Sequence, residues 1–138
     1  MRRGLPLLGL LAALSPAGGA AAQGPEIIVQ APTLQEEIER ILAADNIDPA
    51  NLTAREVADA LERIERGYAP DDFWTSYQRH VRAWRRYADA EASPRVSEFE
   101  YLRVERAIND TYDDAERIAL RYGARPPEQR NRWRPPDK

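Results

Sequence analysis

Residues 71 to 90 read DDFWTSYQRHVRAWRRYADA and place large apolar side chains along one side of a helix. These side chains recur at intervals of three and four residues, which is the period of an amphipathic α-helix. The stripe consists of Trp74, Tyr77, Val81, Trp84 and Ala88, and it is widened by Phe73, His80 and Tyr87. Pro70 precedes the segment, and Asp71 or Asp72 is placed to cap it. The pattern predicts a long helix with a broad aromatic face.

A second long helix is expected after a break at Ser93 and Pro94. Ser97 and Glu100 have the spacing of a capping box, and Gly123 suits a left-handed cap because it has no Cβ. The apolar positions continue the alternation at Tyr101, Val104, Ile108, Thr111, Ala115, Ile118 and Tyr122, and the face is broadened by Leu102, Tyr112 and Ala119. Two long helices joined by a tight turn are expected to pack antiparallel, and these faces are wider than a two-helix seam requires.

Two shorter helices are expected before the long pair. Thr33 with Glu36, and Thr53 with Glu56, have the capping-box spacing. Their apolar stripes are Leu34, Ile38, Ile41 and Leu42 in the first and Val57, Leu61 and Ile64 in the second. Gly67 is expected to end the second. Helices this short are marginal alone, so they must pack on the long pair. The sequence predicts an all-α fold: a small antiparallel four-helix bundle, with two short helices on a long helical hairpin, over residues 33 to 123.

Residues 1 to 22 have the pattern of a secretory signal peptide. Arg2 and Arg3 precede an apolar run over residues 5 to 14, and small residues follow up to Ala22, where we expect cleavage. The run is too short to cross a bilayer as a helix, and no later segment is apolar enough, so no transmembrane span is predicted. Of the 20 basic residues only Lys138 is lysine, which is typical of a GC-rich bacterial genome. The predicted location is the periplasm or the exterior.

The composition excludes several kinds of chemistry. The chain has no cysteine, so it has no disulfide framework, no thiol nucleophile and no lipid-modified N-terminal cysteine. Without the signal peptide, 18 basic and 23 acidic residues give a net charge of −5. The C-terminal tail (residues 124 to 138) has five basic and two acidic residues, net +3, so the body (residues 23 to 123) carries −8. Nucleic-acid binding is not expected from an exported protein with so acidic a body.

The two ends of the mature chain are predicted to be extended arms. In the N-terminal arm, residues 23 to 32, the apolar residues Ile27, Ile28 and Val29 lie between two prolines. They either pack in a groove between helices or pair with the sheet edge of an envelope protein. The tail is predicted to be disordered, and its contact residues are expected to be Arg130, Arg132, Trp133 and Arg134. They could approach anionic lipid, lipopolysaccharide phosphates or an acidic protein surface, or the tail could fold back on the acidic body.

Three features of the sequence could form chemical sites. The stretch NDTYDDAE, residues 109 to 116, gathers Asp110, Asp113 and Asp114, which could hold a hard metal or form ordinary surface ion pairs. The loop from residues 45 to 56 has the length of an EF-hand loop but lacks its inner oxygen ligands. His80 is the single histidine, and we expect a half-buried ring with a structural role.

The sequence therefore predicts a binding or adaptor module of the bacterial cell envelope, with no cofactor and no catalytic activity. Two alternatives stay open at this point. One is a metal-binding or enzymatic bundle that uses the acidic stretch of the last helix. The other is a structural protein that self-associates, for example as a homodimer, through its broad aromatic face.

Overall fold

The computed structural model describes residues 30 to 128 and residue 133. Four α-helices follow one another: α1 (Leu34–Asp45), α2 (Ala54–Glu62), α3 (Asp71–Glu91) and α4 (Glu98–Arg121). A short 3-10 turn, Pro49–Asn51, lies between α1 and α2. The described part of the chain contains no strand, and the all-α bundle predicted from the sequence is confirmed.

Three of the four helix starts lie at the predicted capping residues, whereas the prediction that Asp71 or Asp72 caps α3 is wrong, because both lie within the helix. At Thr33 and Thr53 the hydroxyl accepts from the backbone N–H three residues later, and the glutamate at that position accepts from the threonine N–H. Both capping boxes are therefore complete. At Ser97 the hydroxyl accepts from the backbone N–H of Glu100 at 3.1 Å. α3 follows Pro70, which supplies no side-chain cap.

The two long helices pack against each other along their length. Asp72 at the start of α3 accepts a hydrogen bond from the Tyr122 hydroxyl just beyond α4, at 2.8 Å. In the middle of both helices His80 meets the backbone of Ile108. Near the end of α3 the hydroxyl of Tyr87 lies 2.7 Å from that of Tyr101, near the start of α4. Aromatic residues therefore join these helices at several levels.

The two short helices supply the rest of the core. In α1 the fully buried residues are Ile38, Ile41 and Leu42, and in α2 the buried apolar residues are Ala54, Val57, Ala58 and Leu61. The Arg85 guanidinium on α3 bonds to the carboxylates of Asp59 and Glu62 on α2. This contact lowers the pKa of both carboxyl groups and raises the pKa of Arg85.

The connection from α2 to α3 is held by a buried carboxylate. Glu37 on α1 is 6% exposed and accepts from the Arg40 side chain at 3.0 Å and from the backbone N–H of Tyr68 at 3.2 Å. Arg40 also donates to the carbonyl of Glu65 at 2.7 Å. Gly67 lies in this turn with φ of 57°, and a Cβ there would overlap the Glu37 carboxylate. The turn therefore needs glycine for two separate reasons.

The structure differs from the sequence prediction at three helix positions. α2 ends at Glu62, and Ile64 is half-buried in the turn that follows, so the positive φ of Gly67 serves the connection and does not cap the helix. Leu102 is 50% exposed because α2 packs on α3 and leaves this side of α4 open. Trp74 is half-buried, while its neighbour Phe73 is fully buried and takes the core position.

The end of α4 has the predicted glycine cap. Gly123 has φ of 75°, its N–H bonds to the carbonyl of Leu120, and the N–H of Ala124 bonds to that of Ala119. These two bonds form a Schellman motif. Ala124 is 1% exposed, and the N–H of Arg125 donates to Glu39 on α1 at 2.9 Å. The first residues of the tail are thus packed on the bundle.

None of the helices that the structure describes has both the length and the apolar content needed to cross a membrane.

Candidate functional site

The last residue of α1, Asp45, points into the bundle and forms the centre of a buried polar cluster. Its Oδ1 accepts from the Tyr77 hydroxyl at 3.0 Å and lies 3.3 Å from Nε2 of His80. The side chains of Asp45 and His80 are 7% and 3% exposed. We call Asp45, Tyr77, His80 and Thr111 the buried polar cluster; it joins α1, α3 and α4.

The second nitrogen of His80 is also satisfied inside the protein. Nδ1 lies 3.0 Å from the carbonyl oxygen of Ile108 and 3.3 Å from Oγ1 of Thr111. A carbonyl oxygen can only accept, so Nδ1 donates to it. The ring is therefore buried with a partner on each nitrogen, whereas the sequence indicated a half-buried ring.

Tyr77 acts as a hydrogen-bond donor in this cluster. Burial raises the pKa of its hydroxyl, and the neighbouring Asp45 carboxylate raises it further. The hydroxyl therefore keeps its proton and donates a hydrogen bond to Asp45. A carboxylate removed from water is stabilised by such hydrogen bonds, and the cluster provides a donor from Tyr77 and a nitrogen from His80.

Asp45, His80 and Thr111 have the residue types of a nucleophilic triad, but their arrangement favours a structural role. The Thr111 hydroxyl donates to the carbonyl of Ala107 at 2.6 Å, within its own helix. The cavity beside His80 has a volume of about 20 Å³. That is room for about one water molecule and not for a substrate. The cluster is best explained as a polar tie that fixes α1 against the long helices.

Trp133 of the tail fills an aromatic pocket next to this cluster. Its ring centroid lies 5.1 Å from those of Trp84 and Tyr87, with interplanar angles of 73° and 63°. Its carbonyl oxygen accepts from Nδ2 of Asn109 at 3.4 Å. We call the surface formed by Trp84, Tyr87 and Asn109 the tryptophan pocket. At this residue the structure shows the folded-back arrangement that was one of the two expectations for the tail.

The small cavity lies between the buried polar cluster and the tryptophan pocket. It is lined by residues of both, and the loop after α1 completes it. Nε1 of Trp133 and Oδ1 of Asn109 are buried without a hydrogen-bond partner. One is a donor and the other an acceptor, so a single water between them would satisfy both. The indole is thus held mainly by ring packing.

The acidic stretch of α4 is arranged as a helix surface. Asp114 pairs with Arg117 at 2.9 Å, as the spacing indicated, while Asp110 is exposed and Asp113 is half-buried. In the loop from residues 45 to 56, Asp48 accepts from the N–H of Ala50 and Glu56 caps α2. Across residues 30 to 128 and residue 133, no group of three or more acidic or histidine side chains is placed to hold a metal ion.

Several residues predicted to contact partners lie outside the described residues. These are Ile27, Ile28 and Val29 of the N-terminal arm and Arg130, Arg132 and Arg134 of the tail. The signal peptide and its cleavage near Ala22 also lie outside them. For all of these the sequence prediction stands as a prediction.

Sequence reasoning missed Asp45 and Asn109 as site residues. Asp45 had a usable signal, because an acidic residue in the last turn of a helix opposes the helix dipole and α1 has no basic residue there. Its side chain therefore had to be stabilised by something else. Asn109 had no comparable signal, since a polar residue on a long helix is ordinarily exposed.

A separate open groove lies at the turn between α3 and α4. Its volume is about 620 Å³, and its apolar lining residues are Ala90, Val96, Val104 and Ala107. Charged side chains of both signs line it as well: Arg86, Asp89, Glu100 and Arg103. Phe99, 78% exposed, and Leu102 lie in the same turn region at the start of α4.

No protein-family model, curated protein or solved structure matches this chain. Its function has to be argued from its own residues and their arrangement.

Proposed function

We propose that this protein is an exported binding or adaptor module of the bacterial cell envelope, whose contact element is its basic C-terminal tail. The signal-like residues 1 to 22 support export. The partner is an anionic surface, such as lipid or lipopolysaccharide phosphates. No catalytic activity is proposed, because the cluster with catalytic residue types that the described residues form lies beside a cavity of only about 20 Å³.

The observation that carries this proposal is the packing of Trp133 on the bundle. An indole seated against Trp84 and Tyr87 fixes one point of the tail at the surface of a rigid scaffold. Arg132 and Arg134 are its neighbours in the chain, and Arg130 is three residues away. Consecutive Cα atoms are about 3.8 Å apart, so three guanidinium groups originate within a short distance of the pocket.

Charge explains why the tail and not the body would meet an anionic partner. The body carries a net charge of −8, and the tail carries +3. Each basic residue near an anionic membrane contributes roughly 1 kcal/mol, and salt screens this attraction. The N-terminal arm, with Ile27, Ile28 and Val29, is a second proposed contact element, which would pair with the sheet edge of an envelope protein.

The test is binding of the mature chain to vesicles containing anionic phospholipid, with purely zwitterionic vesicles for comparison. We expect salt-sensitive binding that is lost in the triple variant Arg130→Gln, Arg132→Gln, Arg134→Gln. The matched control removes three exposed arginines of the bundle, Arg82, Arg95 and Arg106, and should keep binding. Equal loss in both variants, or no binding of the unaltered chain, would contradict the proposal.

Self-association is a second candidate function, favoured by the groove between α3 and α4. Its rim has charges of both signs, which can pair with those of a second copy across a two-fold axis. The test is sedimentation across a concentration series for the double variant Phe99→Ser, Leu102→Ser. We expect a concentration-dependent dimer that this variant abolishes. The control Leu120→Ser alters another exposed leucine of α4, far along the helix, and should leave the dimer unchanged.

A further inference from the structure

We infer that the tryptophan pocket is an exchangeable binding site for a tryptophan side chain carried on an extended basic segment. Trp133 fills it within the chain, and a segment of the same chemistry can fill it from outside. This inference goes beyond the proposed function, since it concerns a peptide ligand and a pocket on the bundle and requires no anionic surface.

The first support is the geometry of the rings. Trp133 meets both Trp84 and Tyr87 edge to face, with centroids 5.1 Å apart in each case. Edge-to-face pairs at this distance are favourable arrangements of aromatic quadrupoles and add to the burial of apolar area. Trp84 and Tyr87 also pack on each other at 6.2 Å and 88°. The pocket is therefore shaped for a ring.

The second support is that the pocket belongs to the bundle and not to the tail. Trp84 and Tyr87 are on α3 and Asn109 is on α4, so the two long helices supply the pocket residues. Tyr87 is further held by its hydroxyl contact with Tyr101. These side chains keep their positions through helix packing, so the site does not need covalent attachment of its ligand.

The third support is that Trp133 fits the site incompletely. Its carbonyl bond to Asn109 is long, at 3.4 Å, and Nε1 of Trp133 and Oδ1 of Asn109 both lack a partner in a cavity of about 20 Å³. One water in the cavity can satisfy both atoms. Trp133 is thus held mainly by ring packing, and no strong direct polar contact opposes its replacement.

Charge favours a basic ligand. The segment around Trp133 reads RNRWRPP, while the body carries −8. A ligand with arginines beside its tryptophan would be attracted to the same surface, and this attraction would weaken with salt. Covalent attachment gives Trp133 an effective concentration in the millimolar range, so an external segment binds well only when Trp133 is removed or the segment is in excess.

The test measures how tightly a fluorescent peptide with the sequence of residues 126 to 138 binds to the full mature chain. We expect the peptide to bind the Trp133→Ala chain at least tenfold more tightly than the unaltered chain, and the peptide that itself carries Trp133→Ala to lose this binding. Equal affinity for both chains, or no binding to a Trp133→Ala chain that keeps its circular dichroism and melting temperature, would overturn the inference. No vesicle is present, so this outcome is independent of the test of the proposed function.

A second measurement covers the case in which Trp133→Ala does not fold. The unaltered chain is labelled with 5-fluorotryptophan, and its fluorine resonance for Trp133 is assigned with the Trp133→Phe variant. Excess unlabelled peptide should displace Trp133 and move its fluorine resonance to the position measured for the same peptide when it is free in solution and labelled with 5-fluorotryptophan. The peptide without tryptophan should not move it. A Trp133 resonance that stays in place at all peptide concentrations would also overturn the inference.

Discussion

Oδ1 of Asp45 lies 3.3 Å from Nε2 of His80, and both side chains are buried. The two residues are on α1 and α3, and His80 reaches α4 through its other nitrogen. The chain's single histidine therefore connects three of the four helices. His80 and Asp45 also line the small cavity beside Trp133, so this tie lies next to the tryptophan pocket.

Replacing Asp45 by asparagine should destabilise the fold strongly. The amide would lose the negative charge opposite His80 and would present a donor or a weaker acceptor to Tyr77. Leaving a buried donor or acceptor without its partner costs roughly 1–3 kcal/mol. Urea unfolding at pH 7 measures the loss. The control Asp110→Asn, on the exposed surface of α4, should stay within about 0.5 kcal/mol, and equal effects would contradict the role given to Asp45.

Glu37 should make the stability of the fold depend on pH. The Arg40 side chain holds the pKa of Glu37 below its ordinary value of 4.5 against the opposing effect of burial, and the Tyr68 N–H lowers it further. A lowered folded-state pKa means that its contribution is present above pH 4.5 and is lost as the pH falls through the folded-state value. Glu37→Gln should therefore be less stable at pH 7, by roughly 1–2 kcal/mol.

The difference between the unaltered chain and Glu37→Gln should shrink as the pH is lowered below about 4.5. Denaturant unfolding at a series of pH values measures it. Glu91→Gln, at the exposed end of α3, is the control. A difference that stays constant down to pH 2 would show that Glu37 acts through packing and not through its charge.

The two glycines with positive φ should respond differently to alanine. Both Gly67→Ala and Gly123→Ala place a Cβ in the left-handed region, which costs roughly 1–2 kcal/mol. At Gly123 the nearest side-chain atom to the new Cβ is Oε1 of Gln35 at 3.6 Å, an ordinary contact, whereas at Gly67 the Cβ overlaps the Glu37 carboxylate. Gly67→Ala should therefore be the more destabilising, as thermal unfolding of both variants would show. Equal melting temperatures would mean that the turn relaxes freely.

Arg85 should be energetically coupled to the two carboxylates on α2. Arg85→Gln and the double variant Asp59→Asn, Glu62→Gln should each lower the melting temperature, and combining them should lower it by less than the sum, because the same contacts are lost. The coupling should also weaken in high salt, since these side chains are partly exposed. If the decrease in melting temperature of the combined variant equals the sum of the two separate decreases, the coupling is excluded.

The sequence was a good guide to the helices because their signals are local. Thr33 and Glu36 are three residues apart, and the bonds between them form within one turn whatever else the chain does. Gly123 likewise ends α4 through bonds to the preceding turn. The signals were weaker where packing intervened. Leu102 has the right spacing for the core but is half exposed, because no spacing rule specifies which side of α4 the short helices leave open.

The candidate site was much less predictable than the fold. His80 and Trp133 stood out because the chain has one histidine and an isolated tryptophan in a basic tail, but their partners did not. Asp45 and His80 are 35 positions apart in the sequence, and Asn109 and Trp133 are 24 positions apart. Such pairings depend on how helices rotate about their axes when they pack, and the apolar period fixes that rotation only to a broad stripe.

By itself, the sequence determined an all-α protein with four amphipathic helices, no cysteine chemistry and an acidic body with a basic tail. Only the tertiary structure decided that Asp45 turns inward to His80, that Glu37 holds the turn around Gly67, and that Trp133 lies in a pocket of the bundle. The physical reason is the distance along the chain over which each kind of interaction acts. Caps and amphipathic stripes arise from interactions within one or two turns, whereas buried polar pairs and ring contacts exist only after separate helices have excluded water between them.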